Sequence, residues 1–120
     1  MKSNEYIKGT IKTIVLKLLS DNKKMYGYEI SRRVLELSKE QIKLTYGALY
    51  PILYKLESDG FLASSTEIVG NRARKYYALT PKGKKMAKEK VSELQKFTEM
   101  LKVILMPSPD SKLSIVEWGN

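Results

Sequence analysis

The chain has 120 residues, enough for one continuous core and too few for two independent ones. Its 22 Lys and Arg against 13 Asp and Glu give a net charge of +9, which favours a polyanionic partner, nucleic acid first and an anionic membrane surface second. With no Cys and no His, the sequence excludes disulfides, thiolate and imidazole chemistry, zinc sites and Ser-His triads.

In chain order, Ile7, Ile11, Ile14, Val15, Leu18 and Leu19 recur at helical spacing and predict a first helix with one buried face. Asp21-Asn22 breaks the pattern. A second helix is expected from about Met25 to Leu37, burying Tyr26, Ile30, Val34 and Leu37 and turning Arg32, Arg33 and Glu36 outward. Thr45 then has the side-chain oxygen to cap a third helix, which runs to Asp59 and is stopped by Gly60.

Leu49, Ile52, Leu53 and Leu56 give that third helix its apolar stripe. Pro51 removes one backbone donor, whose acceptor would be Gly47 near the first turn, so a gentle kink is expected rather than a break. Tyr46, Tyr50 and Tyr54 repeat along one flank beside the stripe. Phe61 to Ile68 and Lys75 to Leu79 have strand composition around the turn residues Val69-Gly70-Asn71, which predicts a two-stranded hairpin.

Thr80-Pro81 opens a fourth helix, with Thr as cap and Pro where its missing N–H costs nothing; Pro107 ends it after Leu105 or Met106. At 1.5 Å per residue this helix is about 37 Å long, more than a small core covers. Ala87, Val91, Leu94, Thr98, Leu101 and Leu105 form a short heptad seam, widened by Phe97, Met100 and Ile104. So broad an apolar face on a projecting helix points to a second copy of the chain in a two-fold dimer, with Val91, Leu94, Phe97, Leu101, Ile104 and Leu105 at the contact. No role is read for residues 107–120.

Apolar runs such as Val103 to Met106 fall far below the roughly 18 residues of a membrane span, and the polar N-terminus carries neither a signal nor a myristoylation motif. The expected location is cytoplasmic, with no membrane partner. No paired carboxylates, Gly-rich phosphate loop or nucleophile-base pair can be assembled, so a binding protein without metal or cofactor is expected, not an enzyme.

Three helices followed by a hairpin, with a Thr-capped third helix, is the order of a winged helix-turn-helix. There the second helix crosses the phosphate backbone, the third enters the major groove and the wing reaches an adjacent groove. The fold expectation is therefore mainly α with a small β-hairpin: a winged helix-turn-helix over residues 1–80, a C-terminal dimerisation helix over 81–106 and a tail over 107–120. Between residues 71 and 90 stand eight Lys or Arg against Glu89 alone, a net charge of +7 around the wing and the start of helix four. Arg72 and Arg74 alternate onto one side of the strand, where guanidinium groups suit phosphates or a narrow minor groove.

Five blocks carry a resemblance: Met25-Tyr-Gly-Tyr-Glu-Ile30, Gly47-Ala-Leu-Tyr-Pro-Ile-Leu53, Leu56-Glu-Ser-Asp-Gly60, Arg72-Ala-Arg-Lys-Tyr-Tyr77 and Leu79-Thr-Pro-Lys-Gly83. In this order they resemble the PadR family of transcriptional regulators, across roughly Ile7 to Ala87; the single C-terminal helix resembles the shorter branch of that family. The resemblance implies a winged-helix homodimer that represses a promoter and leaves double-stranded DNA when a small hydrophobic effector binds. It places Thr45, Tyr46, Ala48, Tyr50 and Tyr54 on the recognition helix and Arg72, Arg74 and Lys75 on the wing.

Tyr46 and Tyr50 lie close enough to the buried stripe to serve either as core or as groove residues, whereas Tyr54 and Lys55 sit further round and are set for DNA. Tyr26, Tyr28, Tyr76 and Tyr77 read as packing residues and Gly27 as a close helix contact. Phe97 is the one aromatic of helix four, so its seam reads as an ordinary dimer core rather than a stacking site for planar ligands. A homodimer with reading helices about 34–36 Å apart calls for a near-palindromic operator. The alternatives are a winged-helix module that docks a protein partner and a DNA-binding protein without sequence preference.

Overall fold

The structure, a computed structural model, describes Ile7 and residues 9–108. Helix α1 (Ile11–Asp21) buries Ile11, Val15, Leu16, Leu18 and Leu19. It begins at Ile11 rather than Ile7, although Ile7 still packs half-buried against the core. Leu16 lies outside the predicted stripe and is nevertheless fully buried, because the chain folds over α1 from more than one side.

The chain then forms a short strand, β1 (Met25–Tyr26), where the sequence predicts the first turn of helix two. β1 pairs antiparallel with β3 (Arg72–Leu79), Met25 opposite Tyr77 and Tyr26 opposite Tyr76, while β2 (Leu62–Val69) pairs along the other edge of β3. The hairpin is thus part of a three-stranded sheet of order β1-β3-β2, and its second strand starts at Arg72 rather than Lys75. Helix α2 (Gly27–Leu37) follows, with the Glu29 carboxylate accepting the Tyr26 N–H at 3.1 Å as an N-terminal cap.

On α2, Ile30 and Val34 are buried as the spacing predicts, but Leu37 is 59% exposed. Leu37 is the last helical residue, and Lys39 and Glu40 then take positive φ and turn the chain away. Leu44 fills the core instead, and its carbonyl accepts the Ser31 hydroxyl at 2.9 Å. Helix α3 (Tyr46–Ser58) begins at its Thr45 cap, whose Oγ1 accepts the Ala48 N–H at 3.2 Å, and it buries Leu49, Leu53 and Leu56 while Ile52 is half-buried.

Helix α4 (Pro81–Leu105) is capped by Thr80, whose Oγ1 accepts the Gly83 N–H at 3.0 Å. Its first turn is stapled to the end of α3: Thr80 Oγ1 donates to the Gly60 carbonyl at 2.7 Å and Lys82 Nζ to the Asp59 carbonyl at 2.9 Å. Gly83 permits this approach, since a Cβ there would stand 1.9 Å from the Phe61 carbonyl oxygen. Ala87 is buried against the core, Val91, Ser92 and Leu94 are half-buried where α4 runs along α1, and from Gln95 on the helix is exposed and leaves the domain, giving an elongated molecule of 63 × 28 × 20 Å.

Candidate nucleic-acid interface

Because its Leu stripe faces inward, α3 turns its tyrosine flank toward the surface. Tyr46, Tyr50 and Tyr54 form a ladder with ring centroids 5.5 and 5.8 Å apart. The middle ring is the structural one. Tyr50 is half-buried, and a Cβ on Gly27 would lie 2.4 Å from its hydroxyl, so α2 approaches α3 over a glycine. Burial, then the neighbouring Tyr46 and Tyr54, raises the pKa of Tyr50. Tyr46 and Tyr54 are half exposed, Thr45 is exposed, and Ala48 is half-buried. Lys55 is exposed beside Asp59 at 3.3 Å, a solvated pair that leaves the ammonium accessible.

The wing divides its cations between two faces, as the pleat requires. Arg72 is exposed, and the Arg74 guanidinium lies 4.7 Å from the centre of the Tyr26 ring. Lys75 points to the opposite face, toward α3. Its ammonium stands 3.4 Å from Glu57 and within 5.5 Å of the Tyr54 and Tyr77 ring centres. Glu57 also accepts the Ser64 hydroxyl, so one carboxylate ties α3 to both long strands of the wing.

The Ser64 hydrogen bond, with Lys75 beside it, holds the Glu57 carboxyl below the usual carboxylate range despite some desolvation. Desolvation pulls against Lys75, but Tyr77 and Glu57 outweigh it and its pKa is raised. Burial raises the pKa of the Tyr77 phenol, with the Lys75 cation opposing.

The structure therefore brings Tyr46, Arg72 and Arg74 to the rim of one cleft, shared with Tyr26 and Tyr28. It leaves Thr45, Tyr54 and Lys55 exposed on and beside α3, and keeps Tyr50 and Lys75 in contacts within the fold. Tyr26 and Tyr28 are expected as packing residues, yet Tyr28 is 51% exposed and stacks on Tyr26 with centroids 6.2 Å apart. Their alternation across Gly27 was the available signal. Glu57 had none, because its partners are remote in sequence.

On α4, Val91 and Leu94 are half-buried. Phe97 is 55% and Ile104 67% exposed, and Leu101 and Leu105 are exposed with them. Among the described residues no group of acidic side chains is arranged to hold a metal, and no helix is long and apolar enough to cross a membrane.

Residues 15–89, which take in α1 from Val15 on, the tyrosine flank, the wing and the start of α4, match the transcriptional regulator PadR-like family. The chain belongs to the PadR family. It is 34% identical over 80 residues to the transcriptional regulator Rv3488 of Mycobacterium tuberculosis, covering 67% of this chain and 71% of that one. Among solved structures, a transcriptional regulator from Clostridium thermocellum superposes with a TM-score of 0.77 at 29% identity, over 88% of this chain and 100% of that one. A PadR family regulator from Clostridium difficile gives 0.70 at 29% identity, over 82% and 100%. The PadR assignment carries with it the winged helix-turn-helix reading of the fold and a role in transcription regulation.

Proposed function

We propose that this PadR regulator is a homodimeric, sequence-specific DNA-binding repressor. The observation that carries the reading is the convergence of the exposed α3 flank with the two wing arginines, which gives a concave basic surface at the start of a helix. Tyr54 and Lys55 read bases in the major groove, Thr45, Tyr46 and Ala48 set the helix entry, and Arg72 and Arg74 hold the adjacent backbone or minor groove. Lys75, already met by Glu57, and Tyr50, seated on Gly27, act by holding α3 against the wing and α2.

A second copy covers the outer half of α4 through Val91, Leu94, Phe97, Leu101, Ile104 and Leu105, the last four of which are bare in the single chain. Residues 1–80 thus contact DNA and 81–106 pair the copies; of the tail, residues 109–120 lie outside the described residues. A small hydrophobic effector releases the DNA, and the protein works in the cytoplasm by binding, with no catalysis and no cofactor.

Fluorescence anisotropy on the duplex upstream of the protein's own gene, against a scrambled duplex at two salt concentrations, tests the reading. The expected result is a preference of about 10³-fold or more. Equal affinity for both would leave a DNA-binding protein without sequence preference. Light scattering is expected to find a dimer without DNA; a monomer would favour a module that docks another protein through α4.

A further inference from the structure

Tyr28, the second residue of α2, and Tyr46, the first of α3, line one cleft. The cleft measures about 360 Å³ and is completed by Tyr26, Arg72, Ala73 and Arg74. Its charged lining is wholly cationic. Glu29, the third residue of α2, accepts the Tyr26 N–H, and Glu67, opposite Arg74 in the β2–β3 ladder, is paired with Lys24. Among the described residues, the guanidinium groups of Arg72 and Arg74 and the hydroxyls of Tyr28 and Tyr46 have no acceptor within the chain. Arg74 engages the Tyr26 ring by its charge, a contact that uses none of its N–H donors.

Hydroxyl and guanidinium donors gathered in a concavity whose lining holds two cations and no carboxylate suit an anion that offers several oxygens. We propose that this cleft seats one phosphate of the DNA backbone, with the Tyr28 and Tyr46 hydroxyls and the Arg74 guanidinium donating to it. The proposal rests on the DNA-binding reading above and deepens it. A single phosphate held from α2, α3 and β3 fixes the start of the recognition helix and the wing on the same nucleotide, so that groove reading begins in register.

The test pairs Tyr28→Phe, which removes one hydroxyl from an exposed ring, with duplexes carrying a neutral methylphosphonate at one backbone position at a time. Tyr28→Phe is expected to keep the wild-type melting temperature and to lose about tenfold in affinity on unmodified DNA, the worth of one hydrogen bond to a charged acceptor. Its salt slope should not change, because no charge is removed; Arg74→Gln should lower the slope by about 0.9.

At one methylphosphonate position the wild type should weaken strongly, while Tyr28→Phe weakens little beyond its own loss; elsewhere the two should respond alike. Full additivity at every position, or wild-type affinity of Tyr28→Phe on unmodified DNA, overturns the cleft while leaving DNA binding intact. Failure of the wild-type protein to bind any duplex overturns both.

Discussion

Glu57 near the end of α3 and Lys75 on the central strand of the wing face each other at 3.4 Å. The two elements of the proposed DNA surface are thereby joined across the sheet by a carboxylate that also accepts the Ser64 hydroxyl. The ionised form of that carboxylate bridges α3 and the wing.

This gives a pH dependence of definite sign. The folded-state pKa of Glu57 is lowered, first by Ser64 and then by Lys75, so its contribution is complete above the unfolded value of about 4.3 and disappears as pH falls through the folded value. Glu57→Gln should lower the urea midpoint at neutral pH, and the gap to wild type should close in the acid range below about pH 4. A gap independent of pH would show that shape, not charge, is what Glu57 supplies.

Gly83→Ala should be among the most damaging small substitutions. The added methyl meets the Phe61 carbonyl oxygen at 1.9 Å, and that carbonyl also accepts the Thr80 N–H at 3.1 Å. Backbone cannot swing aside as a side chain can, so the loss should reach or exceed the upper part of the usual overpacking range of about 1–3 kcal/mol, read from thermal or urea unfolding.

Glu40→Gly should act in the opposite direction. Lys39 and Glu40 hold φ of 52° and 66° in succession, a left-handed pair that costs a residue with a Cβ about 1 kcal/mol or more each. Relief of that strain exceeds the extra chain entropy of glycine, and a gain of about 0.5 kcal/mol is expected in the urea midpoint, with the slope unchanged.

Arg72→Ala and Tyr54→Ala should separate charge from reading. Arg72 is exposed and has no ion-pair partner among the described residues, so its loss should weaken operator and random duplex alike and reduce the salt slope by about 0.9. Tyr54 is 54% exposed on α3, and its truncation should shift sequence preference without changing the slope. Equal loss on both duplexes from Tyr54→Ala would remove it from groove reading.

What the sequence made legible was local. The Thr45 and Thr80-Pro81 caps, the Leu49, Leu53 and Leu56 stripe, the hairpin and the length of α4 all follow from chemistry within a few residues. What escaped was decided by remote partners. Met25–Tyr26 became a strand because β3 offered an open edge, and Leu16 was covered because the chain closes over α1. Leu37 lost its place to Leu44 once the turn at Lys39 carried the chain away. The site divided in the same way: Thr45 and the wing arginines were visible as motifs, whereas the cleft around Tyr28 and the Glu57 link exist only once α2, α3 and β3 are assembled.

The staple at Gly83 gives α4 the mechanics of a lever. Its first turn is pinned to the Asp59, Gly60 and Phe61 carbonyls at the end of α3, its middle turns lie along α1, and its outer part stands clear of the domain. A tilt of only about 5° about that fulcrum moves the tip of a rod some 37 Å long by about 3 Å. Any displacement imposed at Ile104 must therefore bend the helix or be passed to α1, along which its middle turns lie, and to the last turn of α3.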